Sequence, residues 1–472
     1  MNKPLIILLS LLTILSNAVR AQDKTILSDK EISDWITIYM PYAEKFDQFS
    51  GVVLVARNGI PIFQKAYGMA NNELNVPNTL DTKFRIGSVS KTFTAAAIMK
   101  LSEQKKLNIE DPICNYIENC PAIWKGITIR HLLTHTSGLV NYTSLNEAKG
   151  VFLMAPHVHE EVIDLFRNKP LESEPGMKYN YNNSGYYLLG VIIEKVTGKT
   201  CETYFKETLF HPLHLKNTGF DKNETLLTNR ASGYRLTSGN LLENTYPINM
   251  ENSFAIGGLY STASDLLLWD QAFYGNELFS ASTLETIFSK DKNSSYGLGW
   301  VVDSLGDCRR FYHDGGITDF SASLQRLVDN QITVIAISNK GNDAGIKAAY
   351  DIAGKICGSP ATIRGFQEDM SKLKSNELLI LIEKAKKAFP RFRINESLIK
   401  EIAEDLKKQG NIKQAIEVYT LNSLIYPKSE NVFAELGESY LEIGNKKKAK
   451  ENFKKCLQIN PANSRALKGM KG

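Results

Sequence analysis

The sequence predicts an α+β fold: an antiparallel sheet made from N- and C-terminal strands beside a helical region, followed by an all-α segment. Three observations predict it. Strand-like runs sit at both ends of the stretch from about 23 to 360, with helix-rich sequence between them. Beyond about 361 the composition turns to Lys, Glu and Leu without a strand signal. A repeat with a constant offset of 34 residues then runs through the C-terminal part, pairing Gly410, Ala415, Tyr419 and Pro427 with Gly444, Ala449, Phe453 and Pro461.

In chain order, the first element is a targeting segment. Lys3 is followed by an apolar run over 5–15, and Ala18-Val19-Arg20-Ala21 reads as a small-residue cleavage site. Residues 1–21 are therefore expected to be a signal peptide, leaving Gln22 first. The apolar run is short for a membrane span, and no cysteine follows the cleavage point to carry a lipid. An uncleaved N-terminal anchor is the other reading. Both place the body of the protein outside the cytoplasm, periplasmic or secreted.

Gly51-Val52-Val53-Leu54-Val55-Ala56, then Asn58-Gly59, then Ile60-Pro61-Ile62-Phe63 reads as a β-hairpin with an Asn-Gly turn. Ser88-Val89-Ser90-Lys91 comes next, running into Ala95-Ala96-Ala97-Ile98-Met99-Lys100-Leu101, mostly strong helix formers. Residues three apart share a helix face, so Ser88 and Lys91 would point into one space. A serine hydroxyl is a poor nucleophile until a base takes its proton, and the Lys91 amine can be that base.

Tyr181-Asn182-Asn183 precedes another apolar helix and offers a phenol and an amide two residues apart. Taken alone, the segment reads rather as a surface loop rich in turn formers. Strands return at 296–302, 320–327 and 331–337, and a helix over 344–357. His313-Asp314-Gly315-Gly316 is read as preceding these late strands, its glycines letting a substrate backbone approach a strand edge; a plain turn is the alternative. The domain reading is 22–360 as one mixed domain, 361–397 as a helical linker or cap with a helix over 378–389, and 398–472 as repeats.

Composition narrows the class. A hydrophobic share of 43% suits a soluble protein with a large core, and a net charge of +5 spread along 472 residues does not point to nucleic acid. Of six cysteines, Cys114 and Cys120 are close enough to close a small loop, or to remain thiols. Cys201, Cys308, Cys357 and Cys456 show no pairing logic and read as buried thiols.

The ordered set Ser88-x-x-Lys91, Tyr181-x-Asn183 and His313-x-Gly315 resembles the serine β-lactamase and penicillin-binding protein superfamily. The likeness is to its class C β-lactamase, D-alanyl-D-alanine carboxypeptidase and esterase branch. The segments 128–139, 257–266 and 296–300 resemble the family too, so the likeness spans about 30–357. The 34-residue period resembles tetratricopeptide repeats, either a partner-binding module or a helical appendage.

The resemblance implies a role for each matching residue. Ser88 would form an acyl-enzyme, and Lys91 would take or share its proton. Tyr181 would pass the proton to the leaving group and later help activate water. Asn183 would hold the substrate amide, and His313 would shape the electrostatics around Tyr181. The N–H groups of Ser88 and Gly316 would form an oxyanion hole beside Gly315. No metal or organic cofactor is implied. His131 and His135 read as helix-associated and structural, and His157 and His159 lack further ligands.

One position departs from the pattern. The middle of the third motif is often Thr or Ser, and here it is Asp314. A cleft-facing Asp314 would repel a substrate carboxylate, and Asp314→Thr would then improve acylation by penicillins. An Asp314 pointing away would do neither. The expected function is a secreted serine hydrolase acting on the amide, peptide or ester bond of a small-molecule or peptide substrate, cell-wall fragments included, with no nucleic-acid partner. The alternatives are an inert binding or sensor protein working through its repeats, and a true β-lactamase.

Overall fold

The computed structural model describes residues 27–45, 47–237, 241–341, 343–358, 396–408 and 410–471. The signal segment at 1–21 and the linker helix read at 378–389 lie outside the described residues.

The N-terminal hairpin forms as expected, with β1 (Gly51–Arg57) and β2 (Ile60–Tyr67). Asn58 and Gly59 both have positive φ, 51° and 74°, which a two-residue hairpin turn of this hand demands. The late strands are β3 (Val301–Leu305), β4 (Cys308–Ile317), β5 (Phe320–Leu327) and β6 (Ile332–Ser338). They join the hairpin in one six-stranded sheet of order β3-β4-β5-β6-β1-β2. Closure comes from antiparallel pairing of β1 with β6, from Gly51↔Ser338 to Arg57↔Ile332. The two ends of the domain thus meet in the middle of the sheet.

Two expectations are corrected here. The strand read over 296–302 begins only at Val301, and the residues before it form a turn. Gly297 and Gly299 are poor strand residues, and Gly299 takes φ +83°. The third motif does not precede the late strands but lies within β4.

Helices α1 (Asp29–Lys45), α2 (Ser90–Glu103), α3 (Asn183–Thr197), α4 (Ala263–Gln271) and α5 (Ala344–Ile356) frame the sheet. Strand alternation sorts the side chains between two cores. Val53 and Val55 of β1, with Val334 and Ala336 of β6, pack under α1 and α5. Val52, Leu54, Leu324, Ile335 and Ile337 face the helical region instead. Helix α2 is buried on nearly every side, with Phe93 stacked on Trp269 of α4 at 3.9 Å between ring centres.

The C-terminal repeats have their own apolar core. Its helices are α6 (Glu396–Lys408), α7 (Ile412–Ile425), α8 (Glu430–Glu442), α9 (Lys446–Ile459) and α10 (Ser464–Lys471). The repeated positions behave alike. Ala415 and Ala449 are fully buried, as are the aromatics Tyr419 and Phe453 one turn on. Small residues let neighbouring helices approach, and the rings fill the space between them.

Cys114 and Cys120 form a disulfide. The expectation for Cys308 and Cys357 is overturned, because they too are bonded. They stand 49 residues apart, and only the packing of α5 over the sheet brings its C-terminal end to the start of β4. Cys201 and Cys456 are buried free thiols.

Beneath the sheet Arg326 of β5 pairs with Asp270 of α4 at 2.6 Å, with side chains 1% and 0% exposed. Thr333 also donates to Asp270, at 2.5 Å. Removing the acid strands a buried guanidinium among the rings of Phe273, Phe288 and Trp300. Asp270→Ala is expected to cost about 3–5 kcal/mol of stability, measured by urea denaturation.

Candidate active site

The nucleophile turn is built by two glycines. A short 3₁₀ turn over Gly87–Val89 leads into α2 and carries Ser88 at its centre. Gly87 has φ +51°, and a Cβ there would fall 2.8 Å from the nitrogen of Gly316. A Cβ on Gly315 would fall 2.0 Å from the Ile86 oxygen and 2.9 Å from the Ser88 nitrogen. Any side chain at either position would push β4 away from the nucleophile. The glycines thus bring the backbone of Gly316 beside that of Ser88.

Lys91 is the second residue of α2, 0% exposed. Its Nζ lies 3.0 Å from Ser88 Oγ and donates to the Ile256 carbonyl at 2.7 Å. Burial holds its pKa well below the usual lysine range. Nζ donates to both oxygens, and the lowered pKa favours the uncharged amine, the form able to take the Ser88 proton. The rings of Tyr181 and Tyr186 flank it, 5.1 and 5.7 Å from Nζ.

The second motif is positioned by a helix cap. Asn182 accepts from the Gly185 N–H and so starts α3, with its own amide donating to the Leu139 carbonyl. Tyr181 then reaches back to hydrogen-bond Ser88, and burial raises its pKa above the ordinary phenol value. Tyr181 is therefore a phenol, a proton donor, at neutral pH. Asn183 donates through Nδ2 to Thr143 at 2.9 Å, and its N–H bonds Asn141. Its Oδ1 has no hydrogen-bond partner among the described residues, so what Asn183 offers is an acceptor.

His313 and Asp314 part company on β4. His313 pairs across the sheet with Leu324 and faces the helical region, toward Tyr181 at 6.3 Å between ring centres. Burial, then the nearby Lys91, depresses its pKa to about 3. Asp314 pairs with Ser323 and points to the opposite face. There it accepts from Ser323 Oγ at 2.6 Å and from Tyr350 of α5 at 3.0 Å. Of the two directions left open for Asp314, the structure takes the one away from the cleft, so neither repulsion of substrate carboxylates nor a benefit of Asp314→Thr for penicillins follows.

Six of the seven residues expected from sequence converge, Ser88, Lys91, Tyr181, His313, Gly315 and Gly316, while Asn183 opens α3 two residues after Tyr181 and bonds Asn141 and Thr143. Several neighbours were not anticipated. His135 is not in a helix but follows Ile129–Leu133 with φ +57°. It accepts the Asn182 N–H on Nδ1 and packs 4.4 Å from the Tyr181 ring. Tyr296 bonds His313, and Ile256 supplies the carbonyl for Lys91. Only the resemblance over 128–139, 257–266 and 296–300 drew attention to their neighbourhoods.

A family model described as Beta-lactamase matches residues 42–355, and a tetratricopeptide-repeat model matches 431–463. A penicillin-binding protein of Bacillus subtilis is 31% identical over 333 residues, covering 66% of this chain and 73% of that protein. A teichoic acid D-alanine hydrolase of Staphylococcus aureus is 29% identical over 312 residues, covering 64% and 74%. Among solved structures, a penicillin binding protein from Bacillus halodurans superposes with a TM-score of 0.60 at 26% identity, covering 67% of this chain and 98% of that one.

His313 provides a pH test. Its folded pKa of about 3 lies below the ordinary 6.5, so the unfolded chain binds more protons between those values. Stability is then lost as pH falls through that window, by up to about 1.4 kcal/mol per pH unit from this group. Urea denaturation at pH 7 and pH 4 should show a smaller loss for His313→Gln than for the natural protein. NMR shifts of the His313 ring should stay flat from about pH 5 to 8.

Proposed function

The chain belongs to the beta-lactamase family, within the serine β-lactamase/transpeptidase superfamily, and from that premise we propose a secreted or periplasmic serine hydrolase that works through an acyl-enzyme on Ser88. The observation that carries this is the wholly buried Lys91 amine 3.0 Å from the Ser88 hydroxyl, its pKa lowered by burial, with the Tyr181 ring 5.1 Å from the same Nζ.

The groups divide the work. Ser88 Oγ attacks the substrate carbonyl carbon and its proton passes to Lys91 Nζ. The oxyanion lies between the Ser88 and Gly316 N–H groups, a placement worth about 2.7–4 kcal/mol per donor in comparable sites. Tyr181 gives its proton to the leaving oxygen or nitrogen as that bond breaks, and Lys91 restores it. Water then attacks the acyl carbon, losing its proton back through the same pair, and Ser88 is released. Asn183 accepts from the substrate N–H through Oδ1. His313 contributes a neutral dipole rather than a charge.

That neutrality bears on substrate. With His313 uncharged and Asp314 turned away, the third motif presents no cation to a substrate carboxylate. Esters, amides and peptides without a free carboxylate at that edge are favoured, and β-lactam hydrolysis is secondary. A relative named as a teichoic acid D-alanine hydrolase supports ester cleavage. Export is supported by the two disulfides, which persist in oxidising compartments. The repeats would carry a protein partner.

The test uses residues 22–472, a simple activated ester and benzylpenicillin. Ester turnover should fall at least about 1,000-fold in Ser88→Ala and in Lys91→Met. Intact mass after benzylpenicillin should show little or no adduct. Ester turnover that survives Ser88→Ala would remove the acyl-enzyme reading; a rapid, complete penicillin adduct would remove the substrate preference.

A further inference from the structure

We propose that Tyr296 is a positioning residue for this site: its phenol holds His313 in one neutral tautomer, and the turn that carries it clips β4 to the helix bearing Lys91. The kinetic part of this proposal rests on the hydrolase reading above; the placement of the proton does not.

The tautomer follows from the acceptors. His313 Nδ1 lies 2.7 Å from the Asp314 carbonyl oxygen, which can only accept. Nδ1 must therefore carry the ring proton. Nε2 is then a lone pair, and the Tyr296 hydroxyl 2.8 Å away is its donor. Both side chains are buried, Tyr296 to 1% exposure. With both nitrogens bonded, the ring cannot rotate without breaking two buried hydrogen bonds.

The turn around Tyr296 reaches three elements at once. Gly297 N–H bonds the Trp300 carbonyl at 2.8 Å and closes the turn. Gly299 lies on α2, where an added Cβ would come within 2.5 Å of Ala95 and 3.2 Å of the Lys91 carbonyl oxygen. The Tyr296 ring packs 4.6 Å from His135 and 6.4 Å from Tyr181. A single short segment thus spans the distance between the Lys91 helix, the third-motif strand and the phenol of the second motif.

The groups facing His313 are Lys91 from α2, Tyr181 ahead of α3, His135 from the loop after Ile129–Leu133, and Tyr296 itself. None of these supplies a negative charge at neutral pH. The Tyr296 hydrogen bond favours the uncharged ring, because a protonated Nε2 has no lone pair to accept it. Losing this donor leaves a buried lone pair unpaired, so the His313 pKa rises and the ring becomes free to flip.

Tyr296→Phe keeps the ring and removes the donor. Nitrogen-15 NMR of the natural protein should show His313 as the Nδ1–H tautomer. In Tyr296→Phe that single signature should give way to a mixture, and the His313 titration midpoint should move upward. The kcat for an activated ester should fall about tenfold with KM within about twofold. A merely structural role would lower the melting temperature but leave the tautomer and its titration unchanged. An Nε2–H tautomer in the natural protein overturns the proposal without recourse to any variant. So does a folded Tyr296→Phe with kcat and titration unchanged. Failure of the natural protein to turn over any ester would sink the hydrolase reading instead, leaving the tautomer measurement to decide this one.

Discussion

A lysine amine removed from water, with no counter-ion against it among the described residues, is the constraint on which the site depends. Lys91 is wholly buried between a backbone carbonyl, two tyrosine rings and the Ser88 hydroxyl. A charge there would be expensive, so the amine stays a base. The same desolvation keeps its neighbours neutral, lowering the pKa of His313 and raising that of Tyr181. Tyr181 is kept as a phenol and His313 as an uncharged imidazole. A neutral base, a neutral acid and a neutral dipole can share one small space, whereas three ions could not.

The sheet turns that constraint into geometry. Pairing β1 with β6 closes the domain on itself and leaves β4 with its glycines against the nucleophile turn. One strand then does two jobs through alternation. His313 looks into the site, while Asp314 anchors the far face through Ser323 and Tyr350. Near the other end of the same strand, the Cys308–Cys357 bond ties β4 to α5. The strand that forms one wall of the site is thus held from behind by Ser323, Tyr350 and Cys357, which lie outside the site.

Much of this was legible in the chain. Ser88 and Lys91 are three residues apart, and the helix signal after them was strong enough to bring them together under any packing. The Asn58-Gly59 turn and the 34-residue repeat were equally local. Side-chain directions and long contacts were left open or misread. The 296–300 segment looked like a strand until its glycines were seen to serve as contacts with α2. The direction of Asp314 stayed open in the motif itself, and only the strand, which sends adjacent residues to opposite sides, decides it.

The sequence by itself determined the fold class, the ordered motifs and the repeat, because spacing and periodicity act over a few residues and survive whatever packs around them. Only the tertiary structure decided which way Asp314 points, which cysteines meet, and that Tyr296 and His135 belong to the site. The physical reason is that burial and hydrogen-bond partnership are properties of a register and a packing. Residues such as Cys308 and Cys357, 49 positions apart, become neighbours only once the sheet has closed and α5 has docked.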